Sequence, residues 1–94
     1  MRVSLVKADL SGANLAGADL SMGLMEFADF SGADLTGANL LRAEAAGARF
    51  VDADLTGANF GQADIENARF LGAKGVAAIV GLDTARNRKA AIFE

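Results

Sequence analysis

Cysteine, proline, histidine, tryptophan and tyrosine are all absent from the 94 residues, and each absence narrows what the chain can do. Without cysteine there is no disulfide framework, no thiolate nucleophile or thiolate metal ligand, and no redox hint of compartment. Without histidine as well, the usual nucleophile and base pairs of enzymes are missing. Long apolar runs are absent too: polar residues interrupt every apolar stretch well short of a membrane span, and the opening MRVSLVKADL carries no secretory signature. The expectation is a cytoplasmic protein with no membrane partner.

Charge is unevenly spread. Residues 1–72 hold ten carboxylates against five cations, a balance of −5, and residues 73–94 hold four cations against two carboxylates, a balance of +2, which together make the net −3. A mildly acidic body with a slightly basic tail disfavours direct nucleic-acid binding, which needs clustered Lys and Arg to neutralise phosphates.

What the chain does have is repetition. Counted in fives from Leu5 to Phe70, all fourteen central positions are apolar: seven Leu, four Phe (30, 50, 60 and 70), then Met25, Ile65 and Ala45. Two residues before the centre stands Ala in twelve of fourteen units, the exceptions being Val3 and Gly23, and two residues after it Gly occupies seven of fourteen. The residue just before the centre is mostly Asp or Asn.

That pattern excludes a helix. At about 100° per residue a five-residue repeat drifts roughly 140° per unit, so its apolar positions would spread over every face. A strand suits Ala and Leu two residues apart, but the next inward residue then comes three later, so the chain must turn once in every five. Gly, Asn and Asp tolerate turn dihedrals, and Ser11, Ser21, Ser31, Thr36 and Thr56 are placed to hydrogen-bond a turning backbone. The product is an all-β polygonal coil with Ala and Leu or Phe inside. Periodicity leaves the number of sides open.

The stretches ADLSGANLAGADLS, ADFSGADLTGANL and ADLTGANFGQADI resemble the A(D/N)LXX signature of pentapeptide-repeat proteins, over about three quarters of the chain. The resemblance implies a right-handed quadrilateral β-helix with one repeat per side and twenty residues per coil, hence about 3.5 coils and a stack roughly 17 Å tall. Twenty-residue ladders then run up the interior: Leu10, Phe30, Phe50, Phe70; Leu15, Leu35, Leu55; and Leu20, Leu40, Phe60. These are core, since a solenoid is stabilised by burying each coil against its neighbours.

The fourth ladder, Leu5, Met25, Ala45, Ile65, is the irregular one. Beside it Met22, Leu24, Glu26 and Phe27 form the candidate partner surface. If Leu24 and Phe27 point outward they make an apolar patch of the kind that marks contacts. If the frame slips locally, one of them turns inward beside the undersized Ala45. A small-ligand site on this face is the third reading.

The tail leaves the five-residue pattern after Ala73, dividing the chain into a solenoid (1–73) and a C-terminal cap segment (74–94). An open solenoid end exposes apolar cross-section and strand edges and needs covering. The tail is expected to supply a short, helical cap: one turn over Val76 to Val80 and a second N-capped by Asp83 or Thr84 and running through Ala90. Leu82, Ile92 and Phe93 are the apolar contacts of that cap. At the other end Val3 and Leu5 begin the repeat at once, which suggests pairing with a second subunit.

No catalytic residues, cofactor or metal site are expected, because the Asp residues recur on different faces and no glycine run leads into a helix N-terminus. The expected function is a non-enzymatic structural or protein-interaction module that self-associates, as a homodimer through an end or the irregular face. The resemblance implies an alternative, a DNA-mimic modulator of a type II topoisomerase such as gyrase. Against it stand Arg49 and Arg69 among the Asp residues of one side and the shortness of the rod. A third possibility is a fragment or degenerate copy of a longer solenoid.

Overall fold

The computed structural model describes residues 2–93. Parallel bridges join each residue before a centre to the one twenty places on, from Ser4 to Leu24 and Asp9 to Asp29 up to Asp54 and Lys74, so one coil consumes four five-residue sides.

Why the repeat takes this form follows from where its five backbone N–H groups go. On the side centred at Leu10, the Leu10 N–H donates to Asp29 O at 2.7 Å and the Gly12 N–H to Ser31 O at 2.9 Å, both in the next coil. The Ala13 N–H closes the corner on Leu10 O at 3.0 Å, and Asn14 bridges onward to Asp34. Asn14 N–H has no backbone partner among the described residues, but its equivalent one coil on, Asp34 N–H, donates to Ala13 O at 2.9 Å, so on a side with a coil on either face only the residue after the centre lacks a backbone partner. The Asp or Asn before the centre supplies one: Ser11 N–H donates to Asp9 Oδ1 at 3.0 Å, Ala16 N–H to Asn14 Oδ1 at 3.2 Å, and Gly61 N–H to Asn59 Oδ1 at 2.9 Å. The Asp/Asn of the motif thus completes the hydrogen bonding of each side. Every corner places its third turn residue at positive φ, as a type II turn requires, which is why Gly recurs there.

The interior is made of the Ala and central columns. From Leu20 to Phe70 they are buried, and Phe30, Phe50 and Phe70 stack at centroid spacings of 5.1 Å with nearly parallel planes. At the N-terminal end Leu5, Leu10 and Leu15 are only partly buried.

Of the expected helical cap, the turn within Val76 to Val80 forms as a single 3-10 turn, Val76–Ala78, and the longer second turn does not form. After Lys74 the bridges continue as Asn59 to Val80, Asp64 to Arg86 and Arg69 to Ile92, so each side of the tail gains one residue over the side beneath it. The gain is a short 3-10 turn at each corner: Val76–Ala78, Leu82–Thr84 and Arg88–Ala90, each preceded by a left-handed residue, Gly75, Gly81 or Asn87. Asp83 and Thr84 lie inside the second of these turns, with no side-chain cap. A helix from there through Ala90 is ruled out because Arg86 is tied into the ladder and Asn87 is left-handed.

The last coil lies flat on the body. A Cβ on Gly81 would sit 2.7 Å from Gly61 Cα, and one on Gly75 would run into Thr56. Beneath this layer Leu55, Phe60, Ile65 and Phe70 are buried.

Candidate interaction surface

The Asp/Asn rule of the repeat fails mainly on one side. At the position before the centre the irregular ladder carries Ser4, Leu24 and Glu44, none of which binds the following corner; only its fourth member, Asp64, does so, accepting from Glu66 N–H at 3.1 Å. On the next side the upper positions are Arg49 and Arg69. The glycine rule fails in the same place: the corners bounding this side carry Met22, Arg42 and Gln62 on one edge and Lys7, Phe27 and Asn67 on the other, where Gly47 alone keeps it.

The frame nevertheless holds. Met25 and Ala45 are fully buried, so neither Leu24 nor Phe27 turns inward to replace them. Gly23 explains how the core closes there: a Cβ on it would meet Val3 Cγ1 at 2.8 Å and Met25 Cε at 2.9 Å, so those two side chains fill the place of the missing Ala methyl. Leu24 is half-buried. Phe27 is 62% and Met22 48% exposed, both at left-handed corners, with φ of 61° and 57°. The Phe27 ring lies over Gly47 of the next coil, where any Cβ would collide with it. Glu26 is half-buried, and its Oε1 is buried with no hydrogen-bond partner among the described residues.

A groove opens beside each of these corners. One, of about 370 Å³, is lined by Phe27, Gly47, Arg49, Asn67 and Arg69. The other, of about 400 Å³, is lined by Arg2, Met22, Arg42, Glu44, Gln62 and Arg86. Sequence reasoning named Arg49 and Arg69 only as diluting the acidic side and missed Arg2, Arg42 and Arg86; the one signal, for Arg2 and Arg42, was the glycine-poor corner column twenty residues apart.

The remaining predicted contacts divide between the two ends. Val3 is exposed and Leu5 half-buried, both on the first coil. Leu82 is packed against the core, while Ile92 and Phe93 are partly exposed on the last coil, where Phe93 stacks on Phe70 at 4.8 Å and extends the phenylalanine column.

Electrostatically the body is a set of held carboxylates. Asp9, Asp19 and Asp54 have their pKa values lowered first by hydrogen bonds from the hydroxyls of Ser11, Ser21 and Thr56, then by the backbone N–H of the same residues. Among the described residues no group of three acidic or thiol ligands is placed to hold a metal ion, and no helix is long and apolar enough to cross a membrane.

A model of the pentapeptide repeats matches residues 2–23 and 24–62, with eight copies of the repeat. No curated protein matches the chain. Among solved structures, the chain is similar to the pentapeptide repeat protein Rfr23 from the cyanobacterium Cyanothece 51142, at 30% identity and a TM-score of 0.62, over 97% of this chain and 64% of that one. It is similar at 31% identity and a TM-score of 0.56 to HetL of Nostoc sp. strain PCC 7120, a pentapeptide repeat protein involved in heterocyst differentiation regulation, over 97% of this chain and 45% of that one. The chain therefore spans between about half and two thirds of the length of these relatives. With the repeat matched over most of its residues and the twenty-residue coil seen in its bridges, the chain belongs to the pentapeptide-repeat family, whose fold is a right-handed four-sided β-helix.

Proposed function

We propose that this chain is a non-enzymatic structural and protein-interaction module, cytoplasmic, which self-associates through its open first coil and presents the Met22, Leu24, Glu26 and Phe27 corner to a protein partner. The observation that carries the reading is Phe27. A bulky aromatic in the left-handed region costs about 1–2 kcal/mol, yet here it is spent on a ring left 62% exposed, at a corner position where seven other units carry Gly. Strain held at an exposed apolar side chain is better explained by a contact than by folding. On this reading the last coil is the cap, since it covers Leu55 to Phe70, and the self-association surface is the first coil, where Val3 is exposed and Leu5 only partly buried.

The topoisomerase-mimic reading is weaker. The described residues extend 27 Å at most, the length of about eight base pairs at ~3.4 Å each, and Arg49 stands 4.0 Å from Asp29 on the acidic side.

Light scattering over a wide concentration range tests self-association, with a rising mass expected for the native chain. Phe27→Gly keeps a corner that Gly serves elsewhere and removes the exposed ring. A photo-crosslinker at position 22 should then give a defined adduct that Phe27→Gly abolishes. A monomer at every concentration sinks the first claim, and an adduct indifferent to Phe27→Gly sinks the second.

A further inference from the structure

We infer that the groove lined by Arg2, Arg42 and Arg86 is a binding site for a small, multiply charged phosphate anion. The inference stands apart from the apolar corner and from self-association. Three guanidinium groups share this groove of about 400 Å³ with one carboxylate, Glu44, on a protein whose net charge is −3. Its size is that of small-molecule sites, about 300–1,000 Å³.

The arginines are positioned rather than loose. Arg2 Nε donates to Met22 O at 2.7 Å, Arg42 Nε to Gln62 Oε1 at 3.0 Å, and Arg86 Nε to Gln62 O at 2.8 Å. In each case the inner nitrogen is the anchor. Among the described residues, the terminal nitrogens of Arg2 and Arg42 have no carboxylate within salt-bridge distance. Arg86 alone is paired, its Nη2 lying 3.3 Å from both Glu44 oxygens. Asp64, next on the same ladder, is not part of the lining, and its Oδ1 already accepts from Glu66 N–H and Asn87 Nδ2.

Gln62 sets the polarity of the floor. Its side-chain oxygen accepts from Arg42 and its backbone oxygen from Arg86, and its amide NH₂ donates no hydrogen bond among the described residues. The groove therefore presents donors from three guanidiniums and an amide against a single acceptor group. Guanidinium forks match phosphate oxygens in geometry and hold them by charge-assisted bonds. One charge on the ligand would be opposed by Glu44, so an anion of two or more charges is the better match.

The test is a titration of the full chain with inorganic pyrophosphate, read by the arginine Nε–Hε resonances and by calorimetry. Saturable shifts at Arg42 and Arg86 are expected. Arg2→Gln, at the chain's edge, and Arg42→Gln should each weaken affinity at least about tenfold, as the loss of a charge-assisted contact predicts, with the unfolding midpoint recorded for both. Arg49→Gln removes the same charge from the other groove and should leave affinity unchanged. Citrate should bind at least about tenfold more weakly than pyrophosphate. The inference is overturned if no saturable shift appears, if Arg49→Gln weakens binding as much as Arg2→Gln, or if citrate binds equally well.

Discussion

The body and the last coil carry the same inter-coil ladder on different corners. In the body a side is five residues, its corner is a single turn with a left-handed third residue, and the large central side chain points inward. In the last coil a side is six residues, and the left-handed residue comes directly after the bridge, at Gly75, Gly81 and Asn87. It stands where the body would place its inward Leu or Phe, so the last coil has no central column until Phe93. The lesson is that a parallel solenoid tolerates a change of side length provided the bridge residues stay in register, and that giving up the central side chain lets a terminal coil lie flat on the one below. A coil that fills its own centre needs another coil above it, and a coil that leaves its centre empty does not.

The phenylalanine column runs through both regions and is the place to break the comparison hardest. Phe50 is fully buried, with stacked rings at 5.1 Å on either side, whereas Phe93 has one neighbour, Phe70, and is 36% exposed. Phe50→Ala opens a cavity that the coils cannot collapse around without losing ladder register, and it should cost about 3–5 kcal/mol. Phe93→Ala should cost about 1–2 kcal/mol, since only about two thirds of the burial and one of two stacking contacts are at stake. Chemical denaturation of the two variants checks this. Equal losses would mean that the last coil is as integral to the core as the body.

Glycine separates the two regions next. Gly12 is left-handed but faces open space, so Gly12→Ala bears only the conformational cost, about 1 kcal/mol. Gly75 is left-handed and lies against Thr56, so Gly75→Ala adds overpacking against backbone, for a total of about 2–4 kcal/mol. If the two variants unfold at the same denaturant concentration, the flat seating of the last coil is wrong.

These contrasts also show what a reader of the sequence can see. The body was legible because two inward columns repeat without a gap, and the irregular side because Gly23, Met25 and Ala45 interrupt them. That Phe27 stays outside was not, since it depends on Met25 and Val3 filling the space left by Gly23. The six-residue sides were hidden for a different reason. Their inward residues, Ile79, Ala85 and Ala91, are mostly small and lack a following Leu or Phe, so apolar spacing reads as a helix when the true marker is the left-handed series Gly75, Gly81, Asn87. The arginine groove was beyond reach because its residues come from positions 2, 42 and 86, and their placement depends on backbone oxygens that only the coiling brings near.

The smallest effect separates the regions by acidity. In the body, Asp9, Asp19 and Asp54 accept hydrogen bonds from Ser11, Ser21 and Thr56 in their charged form, so their pKa values lie below 3.8 in the folded state. A folded value depressed below the unfolded one contributes stability that is complete above about 3.8 and lost as pH falls through the lower folded value. The last coil bridges through Lys74, Val80, Arg86 and Ile92 and has no such carboxylate turn. Acidification should therefore loosen the body's corners first, with the amide resonances of Ser11, Ser21 and Thr56 moving while those of Ala78 and Ala90 stay put. Replacing Asp9, Asp19 and Asp54 by Asn preserves the acceptor, as Asn14, Asn39 and Asn59 demonstrate at the same position, and should flatten the acid response of the unfolding midpoint. Because these carboxylates are exposed, the difference will be modest. A triple Asn variant with the native acid profile would assign the response to the chain's overall charge, and the corners of the two regions would then differ in geometry alone.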